Sequence, residues 1–193
     1  LENQYICPWA KSSQLMTSYH DEEWGVASYD DTYLFEMLNL EGAQAGLSWS
    51  TILNKREGYR QAFHHFEIDR CAALSDEELE SILSTAEVVR NRLKVYAVRK
   101  NALAAMRVIE EYGSFSNYIW RFSDHKPVIH HWEEAGQVPA QNDLSAAISK
   151  DMKKRGFTVV GPVIIYSFLQ AIGLYDDHLV TCPCHSGNRK PFV

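Results

Sequence analysis

The chain has 193 residues, 46% hydrophobic and 23% charged, enough apolar material to fill the core of one domain over 1–193, or of one with two lobes. No apolar run approaches the roughly 20 residues that cross a bilayer, which excludes a helical membrane span, and Leu1 to Tyr5 lack the basic-then-apolar pattern of a signal peptide, so a cytoplasmic protein is expected. A net charge of -6 weighs mildly against a nucleic-acid partner, and four unevenly spaced cysteines fit metal ligands and buried thiols better than a disulfide framework.

In chain order, apolar periodicity is helical almost throughout, with no convincing hairpin or alternating strand. Trp9, Tyr19 and Trp24 fall in amino-terminal loops. Asp30-Asp31-Thr32 caps a helix over Tyr33 to Leu40, a second helix runs from Ser48 to Phe66, and Ser75 with Glu78 forms a capping box opening Asp76 to Leu83. Arg90 to Tyr112 reads as one long helix stopped by Gly113, and Phe115 to Phe122 as a short aromatic one. Asp124 to Asp143 is irregular, and Leu144 to Lys154 and Pro162 to Ile172 are the last helices. Six cations and no acid lie between Arg90 and Arg107, and Lys150, Lys153, Lys154 and Arg155 form a second basic cluster, so local charge can overrule the total.

Three constellations carry chemistry. Cys7 and His20 near one end, with His178 and Cys182 near the other, make two halves of a tetrahedral Cys2His2 zinc shell; Cys184 and His185 are rival ligands. A metal with four protein ligands leaves no place for a reacting water, so it would hold the fold, whereas three ligands plus water would make a zinc hydrolase. The second is Glu41, which follows Leu34 by seven residues and Met37 by four. If the helix continues through Gly42 its carboxylate projects from the core side, beside the small residues Gly42 to Gly46 and the pair Leu47 and Trp49. One carboxylate among aromatics suits a flat cationic ring such as a charged purine. The third is Arg155 to Pro162, a glycine-bearing turn between two helices, in which Gly161-Pro162 presents free backbone amides at a helix start, as in a helix-hairpin-helix that grips a DNA phosphate. An ordinary helical corner is the alternative, and a damage-binding module without chemistry is a further reading of the whole.

Tyr19 to Gly25, Leu40 to Trp49, Arg90 to Lys94, Lys154 to Phe157 with Val160-Gly161, and Asp177 to Cys182 occur in an order that resembles the 3-methyladenine DNA glycosylase I family from about Cys7 to Asn188. That resemblance implies an all-α helix-hairpin-helix glycosylase with structural zinc on Cys7, His20, His178 and Cys182. It further implies a catalytic, base-contacting Glu41, a base stacked on Trp49, and Tyr19 and Trp9 lining the pocket. Gly46 and Leu47 would enter the duplex, while Lys154, Arg155, Gly156 and Gly161 would hold phosphates. The implied partner is double-stranded DNA carrying alkylated bases, met by a monomer that releases 3-methyladenine without nicking the strand. Ala43, and Ala86 to Val89, depart from the family's pattern at a pocket edge and a turn.

Overall fold

Ten α-helices dominate residues 6–190, the part of the chain described by the computed structural model. Leu1 to Tyr5, from which a leaderless start was read, lie outside these residues. The central element is α2 (Asp31–Gln44), begun by Asp30, whose carboxylate accepts from the Tyr33 amide at 2.9 Å. Leu34, Phe35, Met37, Leu38 and Leu40 are essentially inaccessible, because α10 (Pro162–Ala171), α7 (Arg92–Tyr112), α3 (Trp49–Asn54) and α8 (Phe115–Trp120) surround it. A helix buried on every side needs apolar residues all round, and α2 has them from Leu34 to Ala43 apart from three paired or cavity-facing polar groups. Asn39 reaches Phe35 O and Asn101, Glu36 binds two arginines, and Glu41 closes the series.

Several boundaries differ from the sequence expectations for physical reasons. Tyr19 belongs to a helix, α1 (Gln14–Glu22), capped by Ser13; only Met16, Tyr19 and His20 of its nine residues are buried, too sparse a stripe to read as periodic. The stretch from Ser48 to Phe66 is three pieces. Lys55 interrupts α3, α4 (Arg56–Ala62) follows, and His64, His65 and Phe66 turn left-handed. The interruption aims Arg56 inward, where its guanidinium meets Glu36 at 2.6 Å and clasps both oxygens of Glu23, tying α4 to α2 and to the end of α1. A further short helix, α5 (Ile68–Ala72), packs on α7, and the capping box of Ser75 and Glu78 opens α6 (Asp76–Thr85) as expected.

The expectation of no strands gives way to one two-residue parallel pair, β1 (Val128–Ile129) with β2 (Tyr175–Asp176). It pins the irregular 124–143 segment beside the carboxyl-terminal turns, so that Ala135 and Val138 reach the cavity described below. The last two helices, α9 (Asp143–Lys154) and α10, pack against each other across the turn at 155–161.

Candidate active site

Glu41 sits on the last full turn of α2 with 6% of its surface exposed, and no hydrogen-bond or ion-pair partner for it occurs among the described residues. Burial pushes its carboxyl up to about 8. It faces a cavity of about 310 Å³, of the size that holds small ligands. Tyr19 enters from α1, Trp49 from the first position of α3, and Trp9 from the 3-10 turn Pro8–Lys11. The rings of Tyr19 and Trp49 stand 5.3 Å apart and tilted by 44°, and Trp9 lies 6.3 Å from Tyr19.

Among the described residues, neither the buried Tyr19 hydroxyl nor the buried Trp49 indole N–H has a partner. Burial, then the charge of Glu41, raises the Tyr19 hydroxyl well above its ordinary value, so it stays a donor. Two orphan donors and one orphan acceptor around an aromatic cavity are costly unless a ligand or water satisfies them.

Trp24 packs against the core and also lines the cavity, edge-on to Trp9 at 4.9 Å. Gln44, Ser167, Gln170 and Asp177 complete its polar wall and were given no role from the sequence. Asp177 accepts from His130 and Trp132 on one oxygen and from Tyr166 and Gln170 on the other, which fills its four lone-pair sites. That saturation leaves it a structural pillar of the wall.

Beside the cavity the two chain ends meet. The ligand atoms of Cys7, His20 and Cys182 lie within 4.8 Å of one another, and those of His20, His178 and Cys184 do likewise. Three of the four expected ligands, Cys7, His20 and Cys182, thus form one group, while His178 is grouped with His20 and with Cys184, the rival ligand; the His185 ring instead faces His130 O at 2.8 Å. Each cluster histidine turns its Nδ1 to a carboxylate, His20 to Asp21 and His178 to Asp176, both at 2.8 Å, which leaves the His20 Nε2 3.6 Å from the Cys182 sulfur and the His178 Nε2 3.3 Å from His20 O. Hydrogen bonds from Cys184 and Cys7 hold the Cys182 thiol far below its usual value, favouring a thiolate.

The surface next to the cavity mouth is apolar and open. Gly46 has φ 81° with nothing near its missing Cβ, and it throws Leu47 outward to 41% exposure. Leu47 faces Gly161, Pro162 and Val163 across a trough of about 460 Å³ that also touches Glu41. In the 155–161 turn Gly156 is left-handed, as is Val159, a strained state for a β-branched residue. Lys154 is exposed. The Arg155 side chain is committed elsewhere, to Asp151 at 2.9 Å, Glu111 at 2.7 Å and the ring of Tyr112, so this turn offers its backbone more than that guanidinium. The basic run of α7 is likewise largely paired, Arg92 with Glu80 and Arg99 with Asp76.

An aromatic cavity with one unpaired carboxylate, opening beside an exposed apolar turn and a helix start, belongs to the class of proteins that receive a flat heterocycle. Residues 9–185 match the family described as methyladenine glycosylase. The chain is 43% identical over 183 residues to DNA-3-methyladenine glycosylase 1 of Escherichia coli K12, covering 95% of this chain and 98% of the relative. It is 42% identical to DNA-3-methyladenine glycosylase of Haemophilus influenzae Rd, over 92% and 96% of the two chains. A crystal structure of a 3-methyladenine DNA glycosylase I superposes with a TM-score of 0.89 at 44% identity, over 93% of this chain and 99% of the other. The Staphylococcus aureus enzyme, solved to explain 3-methyladenine recognition, gives 0.90 at 37%, over 93% and 96%. The chain belongs to the methyladenine glycosylase family and is a hydrolase of N-glycosyl bonds.

Proposed function

We propose that this enzyme removes 3-methyladenine from alkylated double-stranded DNA by flipping the nucleotide into the cavity and hydrolysing its N-glycosidic bond. The observation that carries the reading is the partnerless Glu41 carboxylate in a cavity whose Tyr19 hydroxyl and Trp49 N–H also lack partners. N3 methylation leaves adenine positively charged, so the base stacks on Trp49 with cation-π attraction, accepts contact from Tyr19 and Trp9, and donates hydrogen bonds to Glu41. A cationic base beside Glu41 favours its ionised form and offsets the burial that opposes it.

The methylated base is already a good leaving group. The C1′–N9 bond breaks with its electron pair passing to the ring, water adds its oxygen to C1′ and loses a proton, and neutral 3-methyladenine and an abasic site result. Among the described residues no lysine lines the cavity, which supports a reaction that ends there, without the imine that leads to strand nicking.

On the DNA side, Leu47 lifted by Gly46 fills the gap left by the flipped nucleotide. The α9–α10 turn acts as a helix-hairpin-helix, over about 144–172, whose phosphate contacts come from the amides near Gly156 and Gly161, aided by Lys154 and by the backbone at Arg155. The Cys/His cluster fits zinc: cysteine sulfurs and two imidazoles, each ring oriented by a carboxylate, form a donor set of the right softness. Cys7, His20, His178 and Cys182 would hold the ion, which supplies folding energy and no catalytic step. We assign a cytoplasmic monomer.

Incubation with alkylated duplex followed by chromatography of the released bases is the test. Free 3-methyladenine, intact strands until alkali is added, and no borohydride-trapped adduct are expected. Release of no base, or rapid cleavage of the strand, would overturn the reading.

A further inference from the structure

We propose that Lys94 is a positioning residue for the turn that enters the duplex, an inference that rests on the wedge role given to Leu47. The end of α2 leaves carbonyls without helical partners. Gly42 O accepts from the Ala45 amide and Gln44 O from the Leu47 amide, at 3.3 and 2.7 Å, whereas Ala43 O finds its donor 51 residues away. The Lys94 ammonium lies 2.9 Å from Ala43 O and 2.5 Å from Ala45 O, one carbonyl inside the helix and one in the turn beyond it. It thereby caps the negative end of α2 and fixes the direction of the chain just before Gly46, the residue whose left-handed backbone leaves that turn pliable.

The same helix anchors the other surface that would touch DNA. Two turns after Lys94, buried Asn101 donates to Asn39 on α2 and to Thr158 O at 3.1 and 3.2 Å and accepts from the Thr158 amide at 2.8 Å; Arg107 then donates to Arg155 O at 3.0 Å. A Cβ at Gly42 would stand only 3.2 Å from Val159 O, so the bare backbone there lets the hairpin pack closely on α2, and wedge turn and hairpin are held to α2 and α7 as one unit. Lys94 is the member of this row that holds the wedge side, and its charge is directed at protein carbonyls instead of phosphate.

The experiment compares Lys94→Met, Lys94→Arg and Leu47→Ala with the wild type, in single-turnover release of 3-methyladenine from duplex and from single-stranded oligonucleotides, and in calorimetric binding of free 3-methyladenine. Lys94→Met should lose about tenfold or more on the duplex, the scale at which a misdirected group costs rate, with a much smaller loss on the single strand, where no gap has to be filled. Free-base affinity should stay within about twofold, and Lys94→Arg should regain part of the duplex rate. Equal loss on both substrates, no loss at all, or a salt dependence of duplex binding whose log–log slope drops by about one unit, as for a missing phosphate contact, would overturn the proposal. A Leu47→Ala variant at full duplex rate would remove the wedge reading itself. An impaired Leu47→Ala beside an unimpaired Lys94→Met would remove only the role of Lys94.

Discussion

Replacing Glu41 by Gln should make the protein more stable and less active, with a stability gain that depends on pH. The carboxyl is 6% exposed, unpartnered, and lifted by burial from 4.5 to about 8. For an acid whose folded value is raised, the native state binds more protons than the unfolded chain between those two values. Stability is therefore complete below about pH 4.5 and declines as the pH climbs to 8. A shift of that size caps the loss at about 5 kcal/mol, and water in the open cavity leaves about 3 kcal/mol of it.

Tyr19, which shares the cavity wall with Glu41, stays neutral throughout this window. The Glu41→Gln variant carries no such penalty, and its melting temperature at pH 8 should exceed the wild type by roughly 6–12 °C, shrinking to near zero at pH 5, for a chain of this length. Scanning calorimetry of both proteins across that range, at fixed zinc, checks this, and cluster titrations cancel in the difference. Excision should fall at the same time, since an amide cannot match the charge of the cationic base. A melting difference that is flat with pH would mean that Glu41 is not a charge buried at cost, and the account of the cavity would lose its foundation.

Three other outcomes are expected. Trp49→Ala should weaken calorimetric binding of free 3-methyladenine by about 5- to 150-fold, the 1–3 kcal/mol that one stacked base contributes, with little change in melting temperature. Cys182→Ala should lower the zinc content measured by atomic absorption from one per chain and lower the melting temperature by more than about 10 °C, because metal binding and folding are linked; full stability without metal would discard the zinc reading. Gly25→Ala forces a left-handed backbone at φ 74° and puts a Cβ 2.7 Å from His178 Cε1, so metal occupancy should fall while α2 and the cavity carboxylate remain in place.

The sequence announced Glu41 because a carboxylate at helical spacing from Leu34 and Met37 is legible wherever its helix continues, and α2 does continue to Gln44. Capping chemistry was equally local: Ser75 with Glu78 and Asp30 with Tyr33 form the bonds their spacing implies. What escaped was set by distant partners. No glycine or proline marks Lys55 as a break; the break goes with Arg56 turning inward to Glu23 and Glu36, partners far away in sequence. The left-handed run His64 to Phe66 carries no glycine either, and burial of Phe63 and Phe66 stabilises it. The parallel pair of Val128 with Tyr175 spans most of the carboxyl-terminal third, beyond any window of periodicity. That the Arg155 side chain is engaged by Glu111 and Tyr112 could not be read from the sequence, because both lie on another helix.

The Cys/His cluster and the aromatic cavity share a wall, so if the cluster holds the proposed ion, its removal tests function as well as folding. Consecutive residues of α1 serve the two sites: Tyr19 lines the cavity and His20 joins the cluster. Trp24 stacks on His20 at 6.0 Å and 20°, meets His178 edge-on at 4.8 Å, and presses its ring against Trp9 at 4.9 Å. Two aromatic walls of the cavity therefore rest on imidazoles whose orientation the ion would fix. Chelation at a temperature where far-UV dichroism still reports intact helices should weaken binding of free 3-methyladenine by about tenfold, the loss expected when pre-organised walls become mobile. Zinc added back should restore it. Unchanged affinity in metal-stripped, folded protein would show that Trp9 and Trp24 hold their places through α2 and the apolar core alone, and would confine the ion to joining the two ends of the chain.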